Sequence, residues 1–321
     1  MKNLNLFSLK KCLLLLSSLV LFGQIVKAGQ AQEADPINLE QSWFLQKISA
    51  PLFWQRSTGS NNVKVLVCDT GIESNHPGLK DNISLPGYNF VDNSTNTEPT
   101  GNFHGTRVAG VIGSQGINKG SVGLNLHVQI VPGKITNEPS GAASSSAAAK
   151  CIRWGADQGI RIVNVSYGSF FLEPELIEAA QYLHDHGGVL IMAAGNKWGP
   201  RDDLIDQPNI IAVGMTNKDD WKTMFDPSGK FIDIVAPGTS IYTTDGGGKY
   251  MIDKGTSMSS AVVAGAAALM LSLKPEVTAD QLNHWILNST IDKGDPGRDD
   301  AFGMGRLDLQ KALELFDNKQ I

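Results

Sequence analysis

The segments VKVLVCD, IRIVNV, GVLIMAA, NIIAVG and FIDIVA are apolar almost without interruption, and helical patterns separate most of them. A strand that alternates apolar and polar residues covers one side of a sheet; a strand apolar throughout is buried on both. Strands of this kind interleaved with GTRVAGVIGS, SSSAAAKCIRWGADQG and PELIEAAQYLHDHGG predict an α/β fold, with a mostly parallel sheet between helical layers. In such sheets ligands gather at the carboxyl ends of the strands. Asp69, Ser166 and Asn196 fall at those ends. The longest apolar stretch, GTSMSSAVVAGAAALMLSL, reads as a helix of small residues in the middle of the core.

The flanks bound the remaining possibilities. Lys2, Lys10 and Lys11 precede CLLLLSSLVLFGQIV, and small residues follow around Ala28, the pattern of a secretory signal over residues 1–28. The run is shorter than the ~20 residues a membrane span needs, so no stable membrane association is expected once it is removed. Removal lowers Lys+Arg from 27 to 23 against 32 acidic residues, a net charge of −9. Such a surface repels nucleic acid, which is excluded as a partner. Residues 29–42 read as a polar lead-in, 43–316 as one domain and 317–321 as a tail. Cys68 and Cys151 lie in apolar contexts without metal-like spacing and read as buried free thiols, one disulfide being the alternative.

Acyl transfer by a serine needs a base, a carboxylate to orient that base, and donors for the developing oxyanion. Asp69 closes a buried strand, where a charge is costly without a partner. His104 opens a helix and is followed by Gly105, which permits close approach. Asn196 follows another buried strand and has an amide to donate. Ser257 stands at the start of the small-residue helix, whose first N–H groups favour negative charge. Each has an ordinary alternative: turn residue, helix cap, core contact, or N-cap for Thr256 or Ser257. His184 and His186 flank a helix end and read as dipole partners rather than a metal pair. GVIGSQG and TDGGGKY do not meet the spacing of nucleotide-binding loops.

DTGI, HGTRVAG, AAGN and GTSMSSAVVAG together resemble the four signature blocks of subtilisin-like serine proteases, in that family's order. The likeness extends over about residues 43–316 and includes VNVSYGS, DIVAPG and GMGRLDLQKAL. It implies a three-layer sandwich and a secreted serine endopeptidase, extracellular or periplasmic, acting on extended polypeptides as a monomer. Ser257 resembles the nucleophile, His104 the general base, Asp69 its orienting carboxylate and Asn196 the oxyanion donor. Ser166, Tyr167 and Gly168 resemble the strand that pairs with substrate, and Lys197 lies where the family lines the rim of its primary pocket.

The chain also departs from the pattern. Arg107 replaces a histidine after the base, an exchange expected to alter cleft-side packing only. Ser259-Ser260-Ala261-Val262 replace Ala-Ser-Pro-His after Ser257. Residues 29–42 are too few for a folding pro-domain, so unaided folding is expected. Gly78 stands at a common calcium-ligand position, and the loop SQGINKG lacks the usual oxygen ligands, so no metal or other cofactor is expected. The rival expectation is a binding protein built on a catalytically weakened scaffold of this family.

Overall fold

The structure is a computed structural model that describes residues 42–117, 120–224 and 226–318. The signal, nearly all of the lead-in and most of the tail lie outside the described residues. In chain order the strands are β1 (Gly59–Asp69), β2 (Tyr88–Asn89), β3 (His127–Lys134), β4 (Ile162–Val165), β5 (Val189–Ala193), β6 (Gly199–Pro200) and β7 (Ile210–Thr216). They continue with β8 (Pro227–Ser228), β9 (Ile234–Pro237), β10 (Ile241–Asp245), β11 (Lys249–Asp253), β12 (Thr290–Ile291) and β13 (Arg306–Leu307).

A nine-stranded sheet runs in the order β12-β13-β9-β7-β5-β4-β1-β3-β2, parallel except for the β12–β13 pair. Side chains alternate between its two faces. Val65, Val67, Ile191 and Val213 join one core with the helices His104–Gly113, Thr256–Leu273 and Ala279–Asn288. Leu66, Cys68, Leu190 and Met192 join a second core under the helices Ser145–Asp157 and Pro174–Asp185. Both faces are therefore dry, which is why the strands carry apolar residues at consecutive positions. The three-layer expectation is met.

The helix Thr256–Leu273 is long and apolar enough to cross a membrane, but it is buried inside the domain. Its run of Ala, Gly and Ser lets neighbours come close: Asn125 Nδ2 donates to the carbonyl of Gly265 at 2.9 Å. The chain passes from β1 to β3 on one side and then returns to β4 on the other. The order of the sheet thus reverses at β1, the point at which ligands gather beyond the strand ends in folds of this kind.

The expectation of free thiols is overturned. Cys68 and Cys151 form a disulfide, with Cα atoms 6.2 Å apart. Period-two alternation turns Cys68 to the face of the sheet covered by the helix Ser145–Asp157, and Cys151 lies on that helix's buried side. Apolar context alone says nothing about which face a cysteine takes, so the pairing was not legible locally.

Candidate active site

Asp69 ends β1 with its carboxylate fully buried. Oδ1 accepts the N–H of Thr70 at 2.7 Å, and both carboxylate oxygens meet His104 Nδ1, at 2.9 and 3.0 Å. A buried carboxylate is tolerable only with such partners. The approach depends on Gly105: a Cβ there would lie 2.3 Å from the carbonyl oxygen of Gly71 and 3.0 Å from Asp69 Cβ. Thr70 Oγ1 receives the Gly105 N–H at 2.9 Å and pins the helix start to the strand end.

Burial alone pushes the His104 pKa down. The charge and hydrogen bond of Asp69, and after them the charge of Asp253, push it up, and Arg107 opposes them; the balance is a raised value. About a quarter of the His104 side chain stays exposed, so solvent reaches the ring.

Gly255, not Thr256 or Ser257, is the N-cap of the helix Thr256–Leu273, at φ 137°. That left-handed conformation favours glycine, and a Cβ would also come within 3.2 Å of Asn196 Oδ1. Thr256 ties the helix start to the loop after β5. Its N–H donates to Asn196 Oδ1 at 3.0 Å, and its Oγ1 accepts the Gly195 N–H at 3.1 Å. Asn196 Nδ2 makes no hydrogen bond among the described residues, and neither does the N–H of Ser257. Two donors are thus left at the positive end of one helix.

Ser257 Oγ donates to the carbonyl of Ser166 at 3.3 Å and makes no hydrogen bond to His104. The next residue, Tyr167, sets its ring edge-on to the imidazole, with centroids 6.4 Å apart. Ser257 and His104 therefore flank the same dipeptide without a hydrogen bond between them. Tyr167 also donates its hydroxyl to the carbonyl of Gly141 at 2.9 Å and stacks on Phe170. Burial, then the nearby Asp69 charge, push its phenol pKa far up, so it stays neutral. β4 ends at Val165, and Gly168 opens a 3-10 turn packed on Gly195. Gly168 is therefore not part of an extended edge; Ser166 and Tyr167 are what remains of it. Lys197 is solvent-exposed one residue beyond Asn196.

Several contacts around the site had no sequence signal. Ser260 Oγ donates to the carbonyl of Ser257 at 2.9 Å and lies 3.2 Å from Ser166 Oγ, while Ser259 Oγ donates to the carbonyl of Ala236. The serines after Ser257 thus take up specific acceptors. Arg107 does more than alter packing, since it pairs with Asp245 and Asp253. His184 and His186 have protein partners: His184 pairs with Asp280, and His186 with the Tyr182 carbonyl and ring.

Gly78 has no side chain, and the hydroxyl of Tyr250 lies 2.8 Å from where its Cβ would be.

The sequence model described as "Subtilase family" matches residues 60–305. Thermitase from Thermoactinomyces vulgaris is 35% identical over 240 residues, covering 74% of this chain and 85% of that protein. Subtilisin DY from Bacillus licheniformis is 33% identical over 259 residues, covering 79% and 91%. A solved structure titled "Crystal Structure of a Lanthipeptide Protease" superposes with a TM-score of 0.76 at 25% identity, covering 87% of this chain and 96% of that one.

Proposed function

Because the chain belongs to the subtilase family and is a serine endopeptidase, we propose that it cleaves peptide bonds with Ser257 as nucleophile, His104 as base, and Asp69 as the carboxylate that orients it. The observation that carries this reading is the pairing of buried Asp69 with His104 at the switch point of the sheet, together with the unpartnered N–H of Ser257 in the first turn of its helix.

The Ser257 hydroxyl leaves Ser166 and turns to His104 Nε2. Its oxygen then attacks the scissile carbonyl while the imidazole takes its proton. Asp69 holds Nδ1–H and stabilises the imidazolium. The oxyanion is met by Asn196 Nδ2 and the N–H of Ser257, donors in place before charge develops. His104 returns the proton to the leaving amine, and water releases the acyl group by the same steps in reverse roles. Substrate lies extended along Ser166 and Tyr167, so main-chain pairing gives broad sequence tolerance. Lys197 at the rim disfavours Lys and Arg in the primary pocket.

The reaction needs no metal, since nucleophile, base and oxyanion donors are all protein groups. The signal-like N-terminus and the disulfide suit an exported enzyme, because disulfides persist in oxidising compartments. The test is proteolysis of a denatured polypeptide with a chelator present throughout. Wild type cleaves it and Ser257→Ala does not; equal cleavage by both overturns the assignment.

A further inference from the structure

Two pieces of the active site reach it by different routes. His104 starts a helix that packs on β1, whereas Ser257 follows directly from β11, the second strand of the hairpin Ile241–Asp253. Something must hold that hairpin against the His104 helix, because a displacement near 1 Å between reacting groups can cost about 10²-fold in rate. Part of the hold is neutral. Thr243 Oγ1 donates to the carbonyl of Arg107 and Thr244 Oγ1 to that of Thr106, both at 2.7 Å.

The remainder is ionic. One turn after His104, Arg107 Nε donates to Asp245 Oδ1 at 2.8 Å, and an Arg107 terminal nitrogen lies 3.4 Å from Asp253 Oδ2. Asp245 ends the first strand of the hairpin, and Asp253 ends the second, four residues before Ser257. The guanidinium fork thus spans both strands, and the three side chains are each about three-quarters shielded from water. Asp253 is further fixed by accepting the N–H of Lys254 at 2.8 Å.

We infer that Arg107 is a positioning residue: it clamps the strand that delivers Ser257 to the helix that delivers His104, and holds the Asp253 carboxylate within electrostatic reach of the imidazole. This rests on the proposed roles of Ser257 and His104. Around the ring, Asp69 on β1 and Asp253 on β11 favour the imidazolium, Arg107 on the same helix opposes it, and neutral Tyr167 faces its edge. Lys254 follows Asp253 in the chain, and Asp245 faces Arg107 rather than the ring.

The clamp and the field can be separated by substitution. Arg107→Lys keeps the charge and loses the two-pronged geometry; Asp253→Asn keeps the size and loses the charge. Arg107→Ala should lower kcat at least about tenfold with little change in KM, and move the acid limb of the pH–rate profile to higher pH. Asp253→Asn should move that limb the other way. Arg107→Lys should restore the position of the limb without restoring kcat. Wild-type kcat in Arg107→Ala, or an acid limb that neither Arg107→Ala nor Asp253→Asn moves, overturns the inference. Should Arg107→Ala fail to fold, Arg107→Lys and Asp253→Asn decide by the same criteria. Ser257→Ala is run alongside: residual cleavage there contradicts the triad itself, whereas Ser257-dependent cleavage with an unmoved limb contradicts only the clamp.

Discussion

Ser257 donates its hydroxyl to the main-chain carbonyl of Ser166, 3.3 Å away. Ser166 belongs to the segment proposed to receive substrate, so the proposed nucleophile rests on part of its proposed substrate-binding edge. Hydrogen bonds of serine to base are often long or absent without substrate and form in the Michaelis complex. The pair proposed for acid–base work, Asp69 with His104, is by contrast already assembled.

The proposed mechanism gives Asn196 two separable jobs. Its Oδ1 anchors the N–H of Thr256, and its Nδ2 is free to meet an oxyanion. Asn196→Asp keeps the acceptor and loses the donor. Its kcat should fall by about 10²–10³, the size of effect known for the oxyanion asparagine of subtilisin, with KM little changed. Steady-state kinetics on a peptide substrate check this. A fall confined to KM would place Asn196 in binding alone.

With His104 as the proposed base, its raised pKa should set the acid side of activity. Catalysis needs the neutral imidazole, so kcat/KM should decline as pH falls through a value above the ordinary 6.5. A pH–rate profile with its acid limb below that value would contradict the balance of charges around the ring.

The disulfide joins residues 83 positions apart. Closing a loop of that size removes denatured-state entropy worth about 4–5 kcal/mol on the chain-entropy model. Cys68→Ser with Cys151→Ser should lower the denaturant midpoint accordingly. An unchanged midpoint would mean that the bridge adds no stability.

Two other carboxylates are raised rather than lowered, although each has a cation beside it: Asp226 has Lys222 and Asp233 has Arg298. Burial first of all raises Asp226 to about 6 and Asp233 to about 7. The folded chain thus binds protons that the unfolded chain has released, so their contribution is complete below the ordinary value of 3.8 and is lost as pH rises through about 6 and 7. Asp226→Asn removes one such burden but also the attraction of Lys222. It should stabilise by about 1–2 kcal/mol at pH 8 and by little at pH 4. Thermal unfolding at both values checks the sign.

The sheet was legible because strands buried on both sides leave an unbroken apolar record, and because Asp69, Ser166 and Asn196 interrupt that record at its ends. Gly105 was legible for its role in close approach. The hairpin Ile241–Asp253 was not: IYTTDGGGKYMID mixes polar and apolar residues, because it docks through threonines on a helix rather than entering the sheet. Arg107 therefore read as an isolated exchange, its two carboxylates lying 138 and 146 residues away in sequence. Gly168 read as strand because nothing in VNVSYGS marks where pairing stops, and its packing on Gly195 is a tertiary fact.

The most direct measurement is labelling with a fluorophosphonate, which reacts only with a serine activated by a base and an oxyanion site. Wild type should take up one probe, on a peptide containing Ser257, and His104→Ala should take up none. A folded wild-type protein that refuses the probe, or carries it on another residue, would contradict the account.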